Sequence, residues 1–320
     1  MNARPYLVVT LLAGLAGCAS TGTTSSSAEA RGHVDTAEAL KADGQYGAAL
    51  AELSQAIAQN PTMVRAHLSM GEIYALQGDH TQAEQSYGEA ARLEPSNFSA
   101  QFNHGLALQL LNRLAESVRA YLRALSIDPA DPQANLNLAT AYLQLGEPQQ
   151  AVPFAQRAAA YDPDSGPAQV NLGAILTALG RHEEAVRAYG AAAERMEPTA
   201  PLLINLAEAL GNTGRHDEMI NTLEAANRIE VTAQAYERMG SALFRLGRYD
   251  EAVESFGSAV VVDPSHYPAH NGIAVCKLNA YLLSDRSDRA ALREAQEAMR
   301  KSLQLRRDQP RVVQLLSRYR

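Results

Sequence analysis

The chain has 320 residues, 46% of them hydrophobic and 20% charged, which is an ordinary globular composition and leaves room for one to three domains. Its formal charge of −7 excludes a nucleic-acid partner held by a net basic surface, because affinity for phosphate comes from Lys and Arg displacing counterions. The two cysteines, Cys18 and Cys276, are too few and too far apart for a disulfide framework or a thiolate zinc site.

Residues 1–17 have the organisation of a secretory signal peptide: Arg4 in a short first region, an apolar stretch from Tyr6 to Ala16, then small residues. Such a stretch is too short to span a bilayer as a helix. The run Leu15-Ala16-Gly17-Cys18 resembles the lipobox of bacterial lipoproteins. That resemblance implies cleavage before Cys18, lipidation of its thiol and anchoring in a membrane, and Ala19 rather than Asp implies the periplasmic face of the outer membrane. Residues 18–29 are rich in Ser and Thr, bury too little apolar surface to fold, and read as a flexible tether.

From residue 30 onward the chain repeats itself, with Pro61, Pro95, Pro129 and Pro163 each 34 residues apart. One period carries Gly71, Tyr74, Gly78, Ala83, Tyr87, Ala90 and Pro95. Another carries Leu172, Gly173, Gly180, Ala185, Tyr189 and Ala192, and a third Tyr236, Gly240, Gly247, Ala252, Phe256, Ala259 and Pro264. The skeleton resembles that of tetratricopeptide repeats, which implies an all-α, right-handed superhelical solenoid of antiparallel helix pairs. The residues supply the physics of each hairpin. Apolar positions at helical spacing give each helix a buried stripe, and Gly71 and Ala83 permit close approach. Gly78, Gly146, Gly180, Gly214 and Gly247 end the first helices. Thr81 and Glu84 read as a capping box opening a second helix.

Counting by period predicts seven units over 30–265, with one additional residue before Pro198 and Val231 where a proline is expected. Pro153 falls inside a second helix and predicts a shallow kink; Ala155 stands at the aromatic position there, with Phe154 beside it. Residues 266–320 read as a divergent eighth unit with an insertion around Ser284 to Arg289, followed by a capping helix that covers the open end of the stack.

Chemistry is sparse along this pattern. The chain contains no Gly-Lys dipeptide and hence no phosphate-cradling P-loop, no cofactor motif is present, and no room is left for a catalytic domain, so the chain reads as a non-enzyme. His266 and His270 have metal-ligand spacing, but Pro268 starts a helix between them and argues against a shared face, so no metal site is assigned. Cys276 reads as a small buried hydrophobe. Carboxylates such as Glu183, Glu184, Asp250 and Glu251 sit at helix N-termini, where they offset the macrodipole.

One constellation does point to a ligand: Asn103, Asn137, Asn171 and Asn205 recur every 34 residues. The position resembles the asparagine ladder in the repeat region of O-linked N-acetylglucosamine transferases, which implies a concave groove holding an extended peptide. An amide offers one acceptor and two donors and can pair with a peptide unit of any sequence. By helical position the neighbours are Phe102, Leu106, Leu136, Thr140, Gln144, Val170 and Ile204, with Glu208, Arg238 and Arg245 adding charge toward the C-terminus. The expected ligand is a mostly apolar segment of a protein partner, and the expected role that of a lipid-anchored interaction scaffold or assembly factor. A cytoplasmic adaptor and a regulatory or targeting subunit of an envelope enzyme are the alternatives. From Ser284 to Arg320 there are ten Arg or Lys against five Asp or Glu, a net of +5, so a basic C-terminal end is expected to meet an anionic membrane, an acidic protein, or a second copy of the chain by self-association.

Overall fold

The computed structural model describes residues 21–319; the signal-like segment 1–17 and Cys18 lie outside the described residues. Among the described residues there are 17 α-helices and no strand. They fall into two compact units, with the chain divided between Ile127 and Asp128. The first unit holds α1 (Thr21–Ala42), α2 (Tyr46–Gln59), α3 (Val64–Leu76), α4 (His80–Leu93), α5 (Phe98–Leu110) and α6 (Leu114–Ile127). The second holds α7 (Pro132–Gln144), α8 (Pro148–Tyr161), α9 (Gly166–Ala178), α10 (His182–Arg195), α11 (Ala200–Asn212), α12 (His216–Ile229), α13 (Ala233–Arg245), α14 (Tyr249–Val262), α15 (Tyr267–Leu283), α16 (Arg289–Leu305) and α17 (Pro310–Arg318). Each odd helix pairs with the following even one, giving eight hairpins and a terminal helix.

Two solutions recur at the seam inside each hairpin. A Cβ built on Gly71, Gly105 or Gly173 would lie 2.7 Å from the ring of Tyr87, Tyr121 or Tyr189, and one on Gly240 would lie 2.8 Å from Phe256. The missing side chain is what lets the aromatic ring lie flat on the first helix. In the other hairpins the glycine is Ala37, Ala139, Ala207 or Ala274, and the facing residue is no longer aromatic: Leu53, Ala155, Leu223 and Met299, all buried. Summed volume is thus nearly held where leucine or methionine faces the alanine; the Ala139 and Ala155 pair is smaller, and beside it Phe154 stacks on Tyr142.

The turns into α4, α8, α10, α12 and α14 use the expected glycines in left-handed geometry, Gly78, Gly146, Gly180, Gly214 and Gly247, with φ between 70° and 82°, while Asn112 takes that geometry before α6. The expected capping box does not form. Asp79 is the N-cap of α4 and accepts from the Gln82 backbone N–H at 3.1 Å, while Thr81 is already helical. The tight turn at Gly78 starts the helix too early for Thr81 to cap it, and Glu84 instead meets His104 and Arg113, each at 3.2 Å. Other second helices open differently: Arg113, Arg181, Arg215 and Arg248 each grip the glutamate three residues on, Glu116, Glu184, Glu218 and Glu251, through two hydrogen bonds. The arginines hold those carboxyls below the usual glutamate range.

The prolines that close the hairpins gain a recurrent polar tie. Gln101 and Asn135 donate side-chain N–H groups to the Pro95 and Pro129 carbonyls at 3.3 and 3.1 Å, and ring nitrogens of His67 and His270 lie 3.0 and 3.1 Å from those of Pro61 and Pro264. These side chains satisfy carbonyls that the helix end leaves unpaired.

Two sequence expectations change in detail, at the tether and at the insertion of the eighth unit. Helical backbone runs back to Thr21, into the segment 18–29 read as an unfolded tether, because extending a nucleated helix adds a backbone hydrogen bond with each residue. Pro153 sits inside α8, which continues as one helix to Tyr161; the displaced Phe154 stacks on Tyr142 at 5.9 Å and carries Arg157 over its ring. The insertion in the eighth unit is largely helical. α15 and α16 are each 17 residues long, where α13 and α14 have 13 and 14, and the short turn between them places Asp285 and Arg286 at positive φ. α17 caps the stack as expected, laying Val312, Leu315, Leu316 and Tyr319 on the cluster formed by Ala274, Leu278, Tyr281 and Met299. Around it Arg289, Arg293, Arg300, Lys301, Arg307 and Arg311 are exposed.

Candidate functional site

Within the second unit α7 touches α9, α9 touches α11, α11 touches α13 and α13 touches α15, in addition to the hairpin contacts. Close approach between successive first helices places them on the inner side of the curve that this unit forms. Their inner faces carry the candidate residues.

A hollow of about 500 Å³ opens there, lined by Leu136, Asn137, Thr140, Val170, Asn171 and Asn205. The sequence placed all six on this face. Its remaining wall, Pro167, Ala174, Met196, Thr199, Pro201 and Leu202, was missed. Pro167 and Pro201 are helix-start prolines of α9 and α11, and Met196 belongs to the connection lengthened before Pro198, where its side chain packs on Gly166. That one-residue irregularity was the available signal.

Ile204 is a correction. It is buried with Leu203, Ala207 and Met219 in the core, because α11 is apolar around most of its circumference and hydrophobic burial draws Ile204 inward. Gln144, at the end of α7, is exposed and does not line the hollow. Phe102, Asn103 and Leu106 belong to α5 of the first unit; there Phe102 stacks on Phe98 at 5.8 Å and contacts Tyr121, Asn103 is half-buried, and Leu106 is exposed.

The ladder residues are not equivalent. Asn171 donates through Nδ2 to Thr140 Oγ1 at 2.8 Å, and Thr140 in turn donates to the Leu136 carbonyl. Asn137 Oδ1 accepts from Gln133 on its own helix at 3.2 Å, and Asn205 is exposed. The corresponding position of the next hairpin is Arg238, which pairs with Glu208 at 2.8 Å. In the first unit Ser69 donates to Glu38 in the same relation. One use of the position is therefore to tie a first helix to the residue three places beyond the equivalent position of the preceding hairpin. Asn171 serves that use with its donor, while its Oδ1 is buried with no hydrogen-bond partner among the described residues. Asn137 and Asn205 keep their amide N–H groups available to a ligand.

Beyond this hollow the face becomes charged. Glu208, His216, Glu237, Arg238 and Arg245 line a second hollow of about 230 Å³, so Glu208, Arg238 and Arg245 lie together as the sequence placed them. Cys276 is buried, and desolvation pushes its thiol up to about 11, which makes it an unreactive core residue. His266 is the N-cap position of α15 while His270 is buried within that helix against the Pro264 carbonyl, so the two do not converge.

Models of the tetratricopeptide repeat match residues 40–102, 136–201, 200–230 and 233–266, and a TPR repeat model matches 110–146. No curated protein sequence matches the chain. Among solved structures the chain is similar to a tetratricopeptide repeat protein from Parabacteroides merdae, with a TM-score of 0.54 at 18% identity, covering 73% of this chain and 93% of that one. It is also similar to Pseudomonas aeruginosa pilF, with a TM-score of 0.53 at 16% identity, covering 66% of this chain and 94% of pilF. YrrB, described as a TPR protein with an unusual peptide-binding site, gives a TM-score of 0.50 at 19% identity over 62% of this chain and 98% of YrrB. At these identities the likeness is one of fold.

Proposed function

The chain is a tetratricopeptide-repeat protein, and we propose that it is a lipid-anchored scaffold or assembly factor of the bacterial envelope that holds an extended segment of a partner protein along the inner face of its second unit. Tetratricopeptide-repeat proteins are in general protein-binding scaffolds, not enzymes. The observation that carries the reading is the hollow of about 500 Å³, in which Asn137 and Asn205 flank apolar walls. Amides at the rim meet the backbone of a bound segment and apolar walls take its side chains, a division that suits a mostly apolar extended peptide. At about 0.5–1.5 kcal/mol net per hydrogen bond, the ladder fixes register and the apolar contacts supply most of the affinity. Support for the anchor comes from Leu15-Ala16-Gly17-Cys18, and support for an outer-membrane address from Ala19.

Two measurements test the two halves. Labelled palmitate is expected to enter the wild-type chain and not Cys18→Ser; equal labelling of both removes the anchor. Peptides selected from a random library on the immobilised chain are expected to bind Asn137→Ala/Asn205→Ala about ten-fold more weakly, with unchanged helical circular dichroism. Asn171 is left intact because it ties two helices together. Unchanged binding by the double variant removes the ladder from the site.

A further inference from the structure

The ladder position changes character at the end of the second unit. After Asn137, Asn171, Asn205 and Arg238, α15 places Gly272 there. With no side chain at that point the Phe256 ring moves onto the helix: a Cβ on Gly272 would lie 2.3 Å from its Cε1. Phe256, Phe244, Pro268, Gly272 and Val275 then form the apolar lining of a hollow of about 380 Å³. Val275 is 42% exposed at its edge.

Along one side of this hollow runs a stripe of α13, Glu237, Ser241 and Arg245, spaced four residues apart and so on one helix face. Ser241 donates to Glu237 Oε1 at 3.1 Å. Neither Glu237 nor Arg245 meets an oppositely charged side chain among the described residues, whereas the neighbouring Arg238 and Glu208 are paired. The same three residues also line the adjoining charged hollow, so the stripe continues the face that carries the ladder.

We propose that this hollow is a specificity socket, taking one large apolar side chain of the bound segment while a basic residue of that segment meets Glu237 and an acidic one meets Arg245. The proposal rests on the reading that the inner face binds an extended segment. Eight residues of helix rise about 12 Å, a distance that extended chain at about 3.3 Å per residue covers in three to four residues. The preferred partner therefore carries opposite charges three to four positions apart with a large apolar residue between them. The ladder steps from helix to helix whereas this stripe runs along the axis of α13, so the segment turns at the socket to lie along α13, and the opposite signs at the two ends of the stripe set its direction there, because a reversed segment brings like charges together.

The test pans a random twelve-residue peptide library on the immobilised full chain and, in parallel, on the charge-exchanged variant Glu237→Arg/Arg245→Glu. The wild type is expected to enrich the spaced charge pair around an apolar residue. A fluorescein-labelled representative is expected to bind the exchanged protein about ten-fold more weakly, from about two- to five-fold per exposed charge contact. The same peptide with its two charges interchanged is expected to recover on the exchanged protein, and Val275→Asp to weaken both peptides. Enriched peptides that need Asn137 and Asn205 but lack the charge spacing, or that ignore the exchange, overturn the socket and leave the groove standing. A library that yields no binder on either protein overturns both.

Discussion

The seam between the two helices of a hairpin and the inner face of the first helices are built from the same repeats, yet they vary in opposite ways. At the seam, eight hairpins use two solutions, glycine against an aromatic ring or alanine against a smaller side chain. On the inner face the ladder position runs Asp35, Ser69, Asn103, Asn137, Asn171, Asn205, Arg238 and Gly272. A packed seam admits few combinations of facing residues, whereas a half-exposed position is free to differ from hairpin to hairpin and so to make one stretch of the face unlike the next.

The sharpest way to break this contrast is at the seam, where the largest effects are expected. Gly173→Ala should destabilise the second unit by about 1–3 kcal/mol, because its Cβ meets the Tyr189 ring. In a Tyr189→Ala background, which recreates the Ala139 and Ala155 combination, the same change should cost far less. Urea unfolding of the four proteins forms a double-mutant cycle, and equal cost in both backgrounds would show that the pairing is incidental. A smaller effect separates the two candidate caps of α4. Asp79→Ala should cost about 1 kcal/mol and Thr81→Ala less than about 0.5 kcal/mol, measured by thermal unfolding.

The smallest effect is one of pH. Burial pushes His104 below its ordinary value, against the opposing pull of Glu84. A histidine depressed in the folded state leaves the unfolded chain binding more protons as pH falls below its ordinary value of about 6.5. Its contribution is therefore complete above that pH and lost as pH falls toward the folded value. Melting of the wild type should drop more steeply between pH 7 and 5 than melting of His104→Asn; parallel curves would remove His104 as the cause.

How far the fold was legible follows from the same contrast. The helix pairs, their glycine turns and the capping helix could be read because each rests on a local rule repeated many times, as with Gly78 and Gly180. The cap at Asp79 was missed because a shift of two residues in helix phase decides between it and Thr81. The polar ties from Gln101 and Asn135 to proline carbonyls, six residues back, repeat with the same period but in different residue types, which hides them from a pattern of identities. At the candidate site the ladder was legible by interval, and the burial of Ile204 was not, because the apolar character of α11 draws inward a position that α7 and α9 leave half-exposed. The tie between Asn171 and Thr140 depends on side chains of two different helices meeting at 2.8 Å, which no single helix encodes.

Whether a partner segment lies on the inner face of the second unit is decided by photo-crosslinking of a library-selected peptide. A photoreactive side chain is placed at Asn205, on the inner face, or at Val261 on α14, which is 82% exposed. Crosslinking is expected from position 205, competed by unlabelled peptide, and none from position 261. Competed crosslinking from 261 with none from 205 would contradict that placement.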